Sequence, residues 1–124
     1  MPPISSTTKA SPVRGEIWDV DLDPTKGAEI KKVRPVVVVS SDALRSLPLR
    51  LVAPITGWRD QFKGKFSHVL LKSQERNGLH KDSAVDALQL RGVALERFKK
   101  KRGSVSADEM EEIACAIAAV IEYC

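Results

Sequence analysis

Aromatic side chains are scarce in this chain, at 5% of 124 residues, and cysteine and histidine occur only twice each. So thin an aromatic supply leaves the core to aliphatic residues. Cys115 and Cys124 lie late in the sequence, and no CxxC or Cys/His cluster accompanies them, which argues against a zinc site. Two lone cysteines fit a reducing compartment, so a cytoplasmic location is expected. No apolar run approaches the roughly 18 residues that a membrane span needs. Residues 1–13 begin Ser/Thr/Pro-rich with no apolar stretch; they read as a disordered lead-in, not a signal peptide, and 14–124 as one domain. Phosphate loops of the GxxxxGK[ST] type are missing, as are GxGxxG, HExxH and GxSxG. Nucleotide-binding, zinc-protease and serine-hydrolase readings therefore have nothing to start from.

What is present is an ordinary globular balance, 43% hydrophobic and 29% charged. A domain of this size buries a modest fraction of its surface, so support from a partner subunit is expected. Lysine and arginine total 20 against 16 acids, a net charge of +4. That excess suits a polyanionic partner and equally a plain solvated basic surface.

Periodicity predicts five strands and one helix. Glu16 to Asp23 alternates, with Trp18, Val20 and Leu22 on one face and Ile17, Asp19 and Asp21 on the other, a half-buried strand ended by Pro24. A polar loop follows to Val33. Val36 to Val39 is a β-branched run of the kind buried on both faces. Leu49 to Thr56 reads as a third strand, with Pro54 marking an edge or bulge. Phe66 to Leu71 makes a fourth, Asn77-Gly78 a hairpin-type turn, and Ser83 to Val93 a fifth. In the fifth, Leu88 and Leu90 take one face and Val85, Ala87, Gln89 and Arg91 the other. Ser106 and Glu109 form a capping box for a helix carrying Met110, Ile113, Ile117, Val120 and Ile121 at helical spacing. Short strands followed by one helix predict a mostly β fold with helices (α+β), a small, curved, antiparallel barrel.

Several groups are candidates for chemistry. His68 and His80 would serve a paired-histidine ribonuclease if they converged, though ordinary strand and surface roles are simpler. Asp19, Asp21 and Asp23 fall on one side of a strand, as a divalent-metal cluster or a polar strand edge would. Lys26, Lys31 and Lys32 in the first loop, and Arg59 and Lys63 in the second, suit a groove for a nucleic-acid backbone or plain solvation. Trp58 is placed to stack a base or to pack under its loop. Gln89, with a buried-side amide, suits reading a base edge or bonding within the core. Arg34, ahead of Pro35, would cap a strand and pair with Glu29. The run from Lys99 to Arg102 reads as a solvated stretch before the helix.

One longer pattern ties these together. Gly15-Glu16-Ile17-Trp18, Asp21-Leu22-Asp23-Pro24-Thr25-Lys26-Gly27-Ala28-Glu29 and Arg34-Pro35-Val36-Val37-Val38-Val39-Ser40 resemble the opening of MazF/PemK toxins. Val52-Ala53-Pro54-Ile55-Thr56 and Leu88-Gln89-Leu90-Arg91 resemble later segments of that family, and the C-terminal helix matches too. The resemblance covers residues 14 to 122. It implies an SH3-like barrel, shared with CcdB toxins, and a homodimer that cuts single-stranded RNA without metal or cofactor. Cutting proceeds there by attack of the ribose 2′-OH on the adjacent phosphate. It also implies catalytic roles for Arg34 and Thr56, and substrate-binding roles for Lys26, Glu29, Lys31, Lys32, Trp58 and Gln89. A cognate antitoxin with an extended, acidic tail is the implied protein partner. The alternative reading is a non-catalytic CcdB-like gyrase inhibitor or RNA-binding module on the same barrel. Ile30, Lys31, Lys32 and Leu88 depart from the family's usual residues, and all sit where RNA would lie, so they bear on the sequence that is cut.

Overall fold

The computed structural model describes residues 10–22 and 33–123. Seven strands and one helix follow in chain order: β1 (Glu16–Asp21), β2 (Val33–Val38), β3 (Leu49–Gly57), β4 (His68–Leu71), β5 (Ser83–Asp86), β6 (Arg91–Ala94), β7 (Phe98–Ser104) and α1 (Ala107–Val120). All pairings are antiparallel, in the order β4-β5-β3-β2-β1-β7, with β6 also pairing β3. Among the described residues the sheet is not closed; β4 and β7 end its path, and β6 pairs on one side only. The mostly β architecture with a C-terminal helix is the one the sequence predicts.

The valine run explains the centre. β2 lies between β1 and β3, and Val36, Val37 and Val38 are fully buried. Alternation sends Val37 and Val39 to a core shared with Ala53, Ile55, Leu71, Val85 and the helix residues Met110, Ile113 and Ala116. It sends Val36 and Val38 to a second core with Val20, Val52, Val93 and Phe98. β1 also buries both faces. Ile17 joins the helix-side core while Val20 joins the other, so the half-buried reading of this strand is corrected.

β3 is long because it serves three partners. Residues 49–52 pair with β6, 52–54 with β2 and 55–57 with β5. Pro54 sits where the β6 ladder has ended and the β5 ladder has not begun. A residue without an N–H is harmless at that gap. Thus Pro54 marks a change of partner inside a central strand, where an edge or bulge was expected.

The expected fifth strand is two strands. Asp86 accepts from the backbone N–H of Leu88 at 3.0 Å, and this local bond turns Ala87–Gln89 into a 3₁₀ turn. Leu88 is consequently 66% exposed. The Asn77-Gly78 pair lies in the β4–β5 connection but not as a tight hairpin. Gly78 ends a 3₁₀ turn over Glu75–Asn77 in the left-handed region, at φ +67°. Asn77 is fully buried; its amide nitrogen donates to the Lys72 carbonyl and its oxygen accepts from Gln74 and Leu79.

β7 was not expected at all. The Lys99–Arg102 run forms a strand along β1, interrupted by two register shifts, and leaves Lys99, Lys100 and Lys101 exposed in succession. Two of its cations are paired: Lys101 with Glu16 at 3.0 Å and Arg102 with Asp19 at 2.7 Å. Hence the run is structural as well as solvated. α1 follows with its capping box in place, Ser106 and Glu109 each accepting the other's backbone N–H. Ile121, counted in the helical stripe, is 64% exposed.

At the other end, Pro12 and Val13 are already tied to the body: the buried Arg50 donates from Nε to the Pro12 carbonyl at 2.8 Å, and Val13 donates to Glu16 at 3.0 Å. Glu16 is a hub. Burial alone would raise its pKa, but hydrogen bonds from the Trp18 indole and the Val13 amide, with Lys101 beside it, hold it below its ordinary 4.5. A lowered folded pKa means stability that is present above pH 4.5 and is lost as the pH falls below it. Glu16→Gln should therefore lower Tm at neutral pH by roughly 4 °C, for about 1 kcal/mol of lost charge-assisted bonding. Thermal melts across pH should show the difference between variant and parent shrinking below pH 4.5; a constant difference would exclude the carboxylate as its source.

Candidate active site

The face of the sheet turned away from α1 carries the candidates. Val36 pairs with Pro54 at the end of the β2–β3 ladder, and extending that register by two residues sets Arg34 toward Thr56 on the same face. Thr56 pairs with Ala84, and Ala84 with Leu70. Paired residues share a face, as do residues two apart. Arg34, Thr56, Ala84 and Leu70 thus form one row across β2, β3, β5 and β4. The next row holds Pro54, Asp86 and His68, since His68 pairs with Asp86. Strand spacing and rise put Asp86 about 8 Å from Thr56 between Cα positions.

Arg34 is exposed, and no described residue takes up its guanidinium. Thr56 is half-buried. A planar cation with no partner among the described residues, on the same face as a hydroxyl, offers an anion two bonds from a fork and a third from the side.

The loop after β3 closes over the second row. Trp58 donates its backbone N–H to Asp82 and meets Phe62 edge to face, with centroids 5.7 Å apart. Phe62 in turn stacks on His68 at 4.1 Å. His68 Nδ1 lies 3.0 Å from the Ser67 hydroxyl, and Nε2 lies 3.6 Å from Asp86 Oδ2. Asp86, only 8% exposed, also accepts from the Gln89 side-chain amide at 2.8 Å. Trp58, Phe62, His68, Asp86 and Gln89 are one connected cluster beside Thr56.

Of the sequence candidates, the structure brings Arg34, Thr56, Trp58 and Gln89 to this region. Gln89 is exposed at the 3₁₀ turn, so its buried-side placement is corrected: the amide is tethered at one end and open to solvent. Trp58 packs against its own loop, though half-buried. Lys26, Glu29, Lys31 and Lys32 lie outside the described residues, as does Asp23. Arg59 and Lys63 are exposed. His80 is exposed in the β4–β5 connection, whereas His68 is stacked and half-buried. Asp19 is engaged by Arg102, so it is not a free metal donor. Among the described residues no group of three His, Cys, Asp or Glu is gathered for a metal. Sequence reasoning missed Phe62 and Asp86. The signal for Asp86 was there: it is an acid in the middle of the apolar stretch Ala84 to Leu88.

An open seven-stranded antiparallel sheet with one C-terminal helix is the fold of MazF toxins. Two solved structures superpose on it closely. "Mycobacterium tuberculosis toxin MazF-mt6" does so at a TM-score of 0.71, with 24% identity, covering 88% of this chain and 98% of the other. MazE-MazF (Form-II) from Deinococcus radiodurans does so at 0.75, with 21% identity, covering 93% and 99%. "Endoribonuclease MazF9" of Mycobacterium tuberculosis is 38% identical over 106 residues, 81% of this chain and 87% of the relative. Residues 13–121 match the family described as PemK-like, MazF-like toxin of type II toxin-antitoxin system. The chain belongs to that toxin family.

Proposed function

We propose that this chain is a sequence-specific endoribonuclease toxin that cuts single-stranded RNA by 2′-OH attack, with no metal in the step. The observation that carries the reading is the β2–β3 register, which, extended two residues past Val36 and Pro54, sets Arg34 and Thr56 on one face with Arg34 exposed. The MazF9 relative, named an endoribonuclease, supports it.

In this reading the scissile phosphate lies over the row. The 2′-OH gives up its proton to solvent as its oxygen bonds to phosphorus, the bond to the 5′-oxygen breaks, and the leaving oxygen takes up a proton from solvent. Charge on the phosphate oxygens rises on the way, and the Arg34 fork meets it with two charge-assisted hydrogen bonds. Thr56 bonds a phosphate oxygen or orients the 2′-OH. Arginine stays protonated near neutral pH, so it stabilises charge and does not act as a base. Positioning carries most of the rate. Lys26, Lys31, Lys32 and Glu29 flank the RNA on the first loop, and Trp58 and Gln89 contact bases.

A cognate antitoxin holds the enzyme in check in the cytoplasm, where it works as a homodimer. One of the solved structures that superpose is described as an endoribonuclease in complex with its cognate antitoxin, which supports this part. An acidic antitoxin tail and RNA compete for one basic face.

The test is incubation of mixed-sequence RNA with the purified protein in EDTA. Fragments ending in 2′,3′-cyclic phosphate and beginning with 5′-OH are expected, and one 2′-deoxy substitution at the cut ribose should block that site alone. Intact RNA would favour the non-catalytic binding module, and cutting only after Mg²⁺ is added would overturn the metal-free step.

A further inference from the structure

Gln89 stands at the open edge of the cluster, and its amide nitrogen is 2.8 Å from Asp86 Oδ2. A carboxylate at neutral pH has acceptors only, so it holds the nitrogen end of an amide and never the oxygen end. Asp86 is itself fixed. It is buried, its other oxygen accepts from the Leu88 N–H, and His68 approaches Oδ2 from the opposite strand while Phe62 stacks on the imidazole. The Gln89 amide therefore cannot exchange its two ends.

That restriction has a chemical meaning for a base. On the Watson–Crick edge, adenine and cytosine carry an amino donor beside a ring-nitrogen acceptor. Guanine and uracil carry a carbonyl acceptor beside a ring N–H donor. The two orders are opposite. A freely turning glutamine amide matches either by flipping, whereas one that cannot flip matches only one of them for a base whose orientation the bound backbone fixes. Single-stranded RNA presents those edges to side chains.

We infer that Asp86 polarises Gln89, so that this site separates amino bases from keto bases at one position of the bound RNA. The inference rests on the RNA-cleaving reading for its substrate but not on cleavage itself. Asp86 is a positioning residue here, acting through Gln89, and His68 holds Asp86 in place.

The experiment uses the full chain and a randomised pool of 2′-O-methyl RNA, which binds but offers no 2′-OH for attack. Bound sequences are read for the wild type, Asp86→Asn and Gln89→Met. Expected for the wild type is one position enriched about tenfold or more in one class over the other, the size of a bidentate contact. Asn at 86 keeps an oxygen for Leu88 and offers an NH₂ to Gln89, so the amide turns over. The preference at that position should then invert or fall to within about threefold, with other positions unchanged. If Asp86→Asn does not fold by circular dichroism, Gln89→Met decides, and it must erase the same preference. A wild-type pool with no amino–keto bias at any position overturns the inference, as does an unchanged bias in the folded variant. Bias without any RNA cutting in the EDTA assay leaves the inference standing and defeats the nuclease reading alone.

Discussion

Arg34→Ala should lower the rate of RNA cleavage by about 10²- to 10³-fold while leaving the protein folded. The size follows from removing one pre-aimed charge from a developing oxyanion, which typically costs that much. The fold should not notice. Arg34 is exposed near the start of β2 and no described residue pairs with its guanidinium, so Tm should stay within about 2 °C. Arg34→Lys should recover little, because an ammonium cannot offer two parallel donors to one phosphate. Thr56→Val keeps the half-buried volume and removes only the hydroxyl, so a loss of about tenfold is expected. Single-turnover cleavage of one RNA, measured beside thermal melts of the same preparations, separates the cases. Normal cleavage by the alanine variant would show that the row across β2 and β3 is not the reaction centre.

The features legible in the sequence were the local ones. Four valines in a row announce a strand buried on both sides, and Ser106 with Glu109 announces the start of the helix; both need only neighbours a few residues away. β7 was illegible because its partner, β1, lies some eighty residues earlier, and three exposed lysines in succession imitate a solvated run. Two register shifts break the alternation that would have exposed it as a strand. The fifth strand was drawn too long because Asp86, a single acid in an apolar stretch, bends the chain with its own side chain. The site divides the same way. Arg34 and Thr56 were picked out by resemblance, and only the β2–β3 register, extended past Val36 and Pro54, sets them on one face. The stack of Phe62 on His68 depends on how the loop after β3 closes, which no pattern in residues 57–67 encodes.

The largest structural effect should come from a single methyl group, in Gly103→Ala. Gly103 pairs with Ile17 at the first register shift of β7, where the edge strand is pressed against the turn at Asn77-Gly78. A Cβ there would lie 2.2 Å from the carbonyl oxygen of Arg76 and within 3.0 Å of two Asn77 backbone atoms. Those neighbours are backbone, so no rotamer change relieves the overlap. Nor can the turn retreat, since Asn77 is fully buried and its side chain bonds Lys72, Gln74 and Leu79. Gly78 meets β7 from the other side, where its own Cβ would lie 2.4 Å from the Arg102 carbonyl oxygen. Two glycines thus let an edge strand and a turn approach to backbone distance. Arg102, which joins them by donating to the Gly78 carbonyl and to Asp19, would be displaced with them. Overpacking of this kind costs about 3 kcal/mol, roughly 10 °C of Tm for a domain this size. Gly92→Ala is the matched control, because nothing lies within 4 Å of its added Cβ; it should change Tm by no more than about 2 °C. Equal melting of the two variants would mean that β7 does not seat against the turn at this distance, and the contact between Arg102 and Asp19 would have to be redrawn.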